Sequence, residues 1–563
     1  MKPSTKHLLL WALVACATLT VQAKTITINP KTVRGDLTQR LREVCDKANH
    51  RDTIVLDFDK GDYQIDGSIL FRSHLVIKGK GDKTTLYFNK GTDKAGFKAF
   101  NDDCFIDVWG SPDRPLSLSI SDISMRLKDH LGIWWEKNSN YIFKIRHCNS
   151  VNISRVKSYT YNASITNFNL HVCSNVYITD CEITNYNNSE NGGCLWLRGE
   201  MHNIHVKRNK FTKYGKDEVI AVFDRLVDNT KQYIRGKANR TDIFIEDNEF
   251  YYGSNDRDKN PESLCDMVFS LFTDHKKSDD RCLTRNFHLR GNKFHINDIC
   301  TRCMYIGFDP ADEHSDIYIE NNEIIHNRLD SNEPFYYCDI EVHDLSSSTD
   351  VIHINGNTLN NNHPIVNKFG TTGYAFLVMR GGHVSMADNT IVNTAAKYPK
   401  TGKPYGIELV WCKSDGNNSD VTMTGNVCKG LDCIAHLGAW ELAEKITLNA
   451  SNNYFAGNTR VFCDQIQRLD VDFTGNTFNC QNKTIFLDGF AQKGNVVFNN
   501  NEVTVGSGGG QFMTRGSGNS GGRIERLEVQ NNVFKGVKNE NDLFKNVTNV
   551  KKRKVKSNRI SRY

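Results

Sequence analysis

Proline is scarce. Ten prolines stand against 41 glycines in 563 residues, which argues against proline-rich linkers, and the many asparagines point instead to tight β turns. Long apolar runs are missing too: beyond the first two dozen residues none is long enough to cross a bilayer as a helix, so no transmembrane segment is expected. Helical periodicity is confined to one short stretch. Zinc-type spacing is lacking, because Cys300 and Cys303 form a CxxC with no second pair or histidine pattern to complete it. An excess of one charge is absent from the body of the chain. The net charge is +6, yet Lys545, Lys551, Lys552, Arg553, Lys554, Lys556, Arg559 and Arg562 face no acid within 545–563. The basic excess belongs to that end, and no nucleic-acid partner is expected. Val547, Val550, Val555 and Ile560 keep an apolar rhythm there, so 545–563 reads as a basic last coil or tail.

What is present begins with Lys2 and Lys6, the run LLLWALVACATL and the small-residue site Val21-Gln22-Ala23, the layout of a secretory signal over residues 1–23. The rest, 24–563, is expected to be secreted, to the periplasm or cell surface of a bacterium. A lipobox reading of Leu13-Val14-Ala15-Cys16, giving a lipoprotein anchored through Cys16, is the alternative. The chain has seventeen cysteines, many inside apolar runs, and spacing does not reveal any pairing among them.

One phrase recurs: a short β-type run, then Asn, then an apolar residue two positions on, as in HVKRNKF, IEDNEF, LRGNKF, INGNTL and FTGNTF. Its asparagines fall at 209, 248, 292, 322, 357, 389, 426, 453, 476, 501 and 532, a mean spacing of about 32 residues. Asn tolerates left-handed backbone, so one per repeat is expected to mark a fixed corner. Short strands, irregular connections and a repeat of this length predict an all-β fold, a right-handed parallel β-helix filling 24–563 as one domain and expected to be a monomer. Its open end needs a cover, and 36–48, DLTQRLREVCDKA, predicts a cap helix with Asp36 at its N-terminus and Leu37, Leu41 and Val44 over the first coil.

In such a coil, side chains alternate between the interior and an outer face, where neighbouring coils bring groups about 5 Å apart. In CDIEVHD, Ile340 and Val342 point inward, Glu341 and His343 outward. The same alternation on successive coils predicts an outer stripe of Asp309, Glu341, His343, Arg380, Glu408 and His436, with His383 just beyond Arg380. Stacked acids, cations and imidazoles can perform proton transfer, or can form a plain ladder of ion pairs. Trp196, Arg198, Arg225 and Trp411 are candidate subsite residues, an aromatic platform and cations for acidic sugars.

The segment GDYQIDGSILFRSHLVIKGKGDKTTLYF, together with the Asn phrase, resembles the pectate-lyase-like β-helix superfamily. A narrower resemblance is to the chondroitinase B and alginate lyase family of calcium-dependent β-helix lyases. Aligned on Gly356-Asn357-Thr358, Glu341 matches the first residue of that family's Glu-x-Glu calcium strand and Arg380, in MRGGH, its acid. His343 stands where the second Glu belongs and Ser348 where the lysine base belongs. The resemblance implies a secreted polysaccharide lyase acting by β-elimination on a uronate polymer of glycosaminoglycan, alginate or pectin type; with serine in the place of the lysine, the chemistry of the stripe offers His343 or His383 as base. It leaves open whether Ca2+ is bound, through Glu341 and Asp309. Two alternatives remain: a glycoside hydrolase pairing Glu341 with Glu408 or Asp309, and a non-catalytic carbohydrate-binding surface protein.

Overall fold

A computed structural model describes residues 25–28, 36–88, 104–127, 140–161, 165–186, 192–215, 218–223, 226–227, 233–234, 239–253, 265–273, 282–297, 300–326, 338–346, 348–361, 374–379, 382–393, 407–413, 418–438, 442–506, 510–514 and 522–562. The expected signal, residues 1–23, lies outside them. Among the described residues no helix is long and apolar enough to cross a membrane.

The strands join into one 44-stranded sheet whose coil-to-coil pairings are parallel, wound as a right-handed parallel β-helix. Three faces follow one another in each coil. The first is traced by Cys104–Trp109, Ile220–Phe223, Cys300–Phe308 and Cys338–Asp344, the second by Leu283–Arg290 and Glu313–Glu320, and the third by Lys293–Ile296 and Glu323–His326. Alternation sends every second residue into a continuous core. On the first face, Ile106, Phe143, Phe168, Leu195, Ile220, Phe269, Met304, Ile340 and Phe376 stack in register, all buried. Most of the cysteines whose side chains are described are buried too, and none of these is in a disulfide.

The recurring asparagines form the seam. From Asn209 to Asn558 each amide nitrogen donates to the side-chain oxygen of the next, at 2.8–3.2 Å. These side chains are buried inside the corner and are not the left-handed residues. The positive φ falls one residue earlier, at Arg208, Asp247, Gly291, Asn321, Gly356, Asp388, Gly425, Asn452, Gly475, Asn500 and Asn531. That corrects the sequence expectation. The left-handed residue turns the chain, and the Asn after it satisfies the backbone groups the turn leaves unpaired.

The cap helix is Thr38–Lys47, with Leu37 at its N-terminal boundary in place of Asp36. Asp36 still caps in effect, because its carboxylate accepts the Thr38 N–H at 2.9 Å. Leu37 and Leu41 are buried in the core and Val44 packs against it. Val550–Lys556 and Arg559–Ser561 pair in parallel with Arg523–Gln530 and Val533–Lys535, with Val550, Val555 and Ile560 against the core. There Arg553 is in register with the inward Leu527, its guanidinium 5.5 Å from the Phe544 ring centre.

Candidate functional site

The outward residues of the first face fall into two columns. One runs through Asp107, Lys144, Asn169, Trp196, Ala221, Ser270, Tyr305 and Glu341, and its register continues through positions 377 and 411 to His436. The other, two residues further along each strand, runs Trp109, Arg146, His171, Arg198, Phe223, Phe272, and resumes with Gly307 and His343. Two clusters of chemistry-bearing groups lie on these columns.

The middle cluster is built on adjacent coils by Cys300–Phe308 and Cys338–Asp344. The Tyr305 hydroxyl is hydrogen-bonded to His343 Nδ1 at 3.1 Å, their rings edge to face. Gly307 makes this reach available. It precedes His343 in the column, and a Cβ there would lie 2.8 Å from the Tyr305 hydroxyl, so any other residue would push the ring aside. Arg302 lies 5.4 Å from the Tyr305 ring centre and donates through Nε to Glu341. Glu341 is on the outer side as alternation predicts, yet it is only 1% exposed. Its charge is committed to Arg302.

The second cluster lies nearer the N-terminus. Arg146 donates through Nε to Asp107 Oδ1 at 3.2 Å and through Nη2 to Oδ2, and its guanidinium sits 3.8 Å from the Trp109 ring centre. Asp107 is the only carboxylate in the two columns between Cys104–Trp109 and Ile220–Phe223, and that pairing uses it. Arg198 is 5% exposed and enclosed by rings, with Trp196 at 4.3 Å and Phe223 at 4.6 Å. Its Nε has no hydrogen-bond partner, and neither do both amide atoms of Asn169, His171 Nε2 and Trp196 Nε1, all buried. Burial, and then the charges of Arg198, Lys144 and Arg146, hold the His171 imidazole well below the ordinary pKa of 6.5, so it is neutral at neutral pH. The corner after it carries strain, since Val172 is β-branched at φ 51°.

Only part of the expected stripe comes together. Glu341 and His436 share a column, three strands apart, with Trp411 between them. His436 packs edge-on against Phe462 at 4.7 Å. Glu408 does not join them. It is in register with Tyr374 and Cys338, three residues from Trp411 and so in the other phase of the alternation. His383 lies on the second face, opposite Asp420 on the next coil at 3.8 Å, and so cannot share work with His343 on the first. Asp309 is in the corner after Phe308, where its N–H donates to Asp312 at 2.7 Å. That is four residues along the strand direction from Tyr305, the register partner of Glu341, or roughly 13 Å. Arg225 and Arg380 lie outside the described residues, as do the side chains of Glu408 and Trp411. Trp196 and Arg198 meet, as described.

A calcium ion needs six or more oxygen ligands converging on one point. Glu341 is bound to Arg302 and Asp309 sits in a different part of the coil, so this pair does not fit the ion. Among the described residues no group of three or more potential ligands gathers elsewhere.

Tyr305, Arg302, Asn169 and His171 were not singled out from the sequence, although alternation about Met304 and Ile306, and about Phe168 and Leu170, places Tyr305, Asn169 and His171 outward.

No protein-family model matches the chain and no curated protein matches it. Among solved structures it is similar to a surface protein and adhesin of Streptococcus pneumoniae, at 13% identity and TM-score 0.41 over 68% of this chain and 100% of that one. It is similar to a tailspike of Pseudomonas phage phi297, at 10% identity and TM-score 0.36 over 86% and 76%. A mannuronic acid specific polysaccharide family 6 lyase from human gut microbiota aligns at 11% identity and TM-score 0.28, over 95% and 92%. Alginate lyases, the family the sequence resembles, are thus among the structures it is similar to, while scores this low leave the choice of activity to the side chains.

Proposed function

We propose that the chain is a secreted polysaccharide lyase that cleaves a uronic-acid-containing glycan by β-elimination on its first face. The observation that carries this reading is the Tyr305–His343 hydrogen bond on the outer side of the coil, with the Arg302 guanidinium beside it. β-Elimination on a uronate needs a base for the C5 proton, an acid for the O4 leaving group and a cation to hold the charge that spreads onto the carboxylate. His343 serves as the base through Nε2 while its Nδ1–H holds the Tyr305 oxygen. Tyr305 gives its proton to O4. The C5–H and C4–O4 bonds break, a C4–C5 double bond forms, and the proton on His343 returns to the phenolate through the hydrogen bond they share. Arg302, already turned toward Glu341, supplies the nearest described cation. No step involves calcium.

A hydrolase would need two carboxyl groups flanking the bond. Near Tyr305 the described outward carboxylate is Glu341, and Arg302 occupies it. The test is to incubate the mature protein with glycosaminoglycan, alginate and pectic polymers and follow the ultraviolet absorbance of the new double bond. Rising absorbance is expected. New reducing ends without absorbance would replace this reading with hydrolysis, and neither signal on any of them would replace it with a binding role.

A further inference from the structure

The Arg198 cluster lies apart from the reacting pair. From Leu195–Lys207 the first face passes through Ile220–Phe223 and Cys265–Phe272 to Cys300–Phe308, three strand steps, or roughly 14 Å from Trp196 to Tyr305. A single sugar ring does not span that distance; an oligosaccharide laid along the rod does.

The cluster has a specific deficit. A guanidinium stays protonated in proteins, and burying its charge without an anion is costly. Among the described residues no carboxylate pairs with the buried Arg198, and Asp107, the nearest carboxylate in these columns, is taken by Arg146. Around Arg198 three of the unpartnered buried atoms are donors, the Arg198 Nε–H, the Trp196 indole N–H and the Asn169 Nδ2–H, beside the Asn169 Oδ1 acceptor and His171 Nε2. Buried polar groups in native structures are nearly always hydrogen-bonded, so several unpaired donors on adjacent strands mark the place of an acceptor. The acceptor that also cancels the charge is an anion, and a planar carboxylate matches the guanidinium fork. The rings of Trp196 and Phe223 flank the same point.

We infer that Asn169, Trp196 and Arg198 form a distal subsite for the carboxylate of a second acidic sugar in the same glycan chain, three coils from Tyr305 and His343. The second part of this, its coupling to a reacting centre, rests on the lyase reading; the carboxylate site itself does not. The consequence is a length requirement. A short acidic oligosaccharide reaches one cluster, and a longer one reaches both.

The experiment is calorimetric titration of the full protein with acidic oligosaccharides of rising length, from disaccharide upward, and with the same oligosaccharides after their carboxyl groups are reduced to alcohols. Affinity should rise by at least about tenfold at the length that bridges the two clusters, the worth of a charge-assisted hydrogen bond. Carboxyl reduction should remove that rise. Arg198→Gln should remove it as well, and Trp196→Phe, which keeps a ring but loses the N–H, should diminish it, with circular dichroism confirming that both variants are folded. Equal binding of short and long oligosaccharides by the wild type, or a rise that survives Arg198→Gln or carboxyl reduction, overturns the subsite. If the rise is present and depends on Arg198 while no polymer gives double-bond absorbance, the subsite stands and the lyase reading fails.

Discussion

The first and third faces of the coil carry charge in opposite ways. On the third face an outward column reads Lys157, Glu182, Lys210, Glu249, Lys293, Glu323, alternating in sign through six successive coils. Lys157 is 3.6 Å from Glu182 and Lys293 is 3.0 Å from Glu323. Each charge there has an opposite neighbour and stands in water. The sheet needs nothing more from it. On the first face Arg198 is buried with no counter-charge among the described residues, and Asn169, His171 and Trp196 keep unpaired polar atoms. A stripe of mixed charge is therefore not informative by itself. What separates a structural ladder from a site is whether the groups satisfy one another.

That contrast is broken most directly at Tyr305. Replacing it with Phe keeps the ring and removes only the hydroxyl, and turnover of a uronate polymer should fall by roughly 10²–10⁴-fold, the usual worth of a positioned acid. Unchanged turnover would move the chemistry off this pair. A smaller loss, roughly 10²-fold, is expected for Gly307→Ala, which touches no substrate but displaces the Tyr305 ring from His343. Adding Tyr305→Phe in the same chain should bring no further loss, because both changes disable the same hydroxyl.

The pH dependence of stability sharpens the comparison from the other side. His171 is held below 6.5 in the folded chain, mainly by burial, and returns toward 6.5 on unfolding. Below that pH the unfolded chain takes up a proton that the folded chain refuses. Stability from this group is complete above about pH 6.5 and is lost as pH falls below it, at up to about 1.4 kcal/mol per pH unit. Denaturant midpoints at pH 7.5 and 5.5 should show the drop, and His171→Gln should shrink it. An undiminished drop in the variant would assign it to other groups.

The repeat was legible because it is covalent in the sequence: Asn recurs wherever a corner must satisfy backbone groups, and its ladder from Asn209 to Asn532 needed no knowledge of which residue held the left-handed turn. Alternation likewise placed Glu341 and His343 outward, as it would have placed Tyr305 and His171. The stripe failed at Glu408 and His383 for two physical reasons. Val410 shares the register of Phe376, so Glu408, two residues earlier, falls in the same phase instead of the outer one, and His383 belongs to Gly382–Ala387, on another face. In an apolar strand such as GIELVW, alternation alone does not say which of the two phases faces inward. Whether Glu341 is free or committed to Arg302 depends on a contact between residues 39 apart, which no local pattern carries.

The smallest expected effect lies on the third face, and it is the one that tests the distinction itself. Lys293 pairs with Glu323 at 3.0 Å, both about two-fifths exposed. An exposed pair gains little Coulomb energy in water and is screened by salt, so Lys293→Ala should cost no more than about 1 kcal/mol, read as a small shift of the denaturant midpoint that shrinks in high salt. Turnover and oligosaccharide affinity should stay at wild-type values, since the Lys293 and Glu323 charges satisfy one another. A loss of affinity in Lys293→Ala would mean that glycan also runs along the third face. The self-satisfied ladder would then be a binding surface, and pairing would no longer tell the two faces apart.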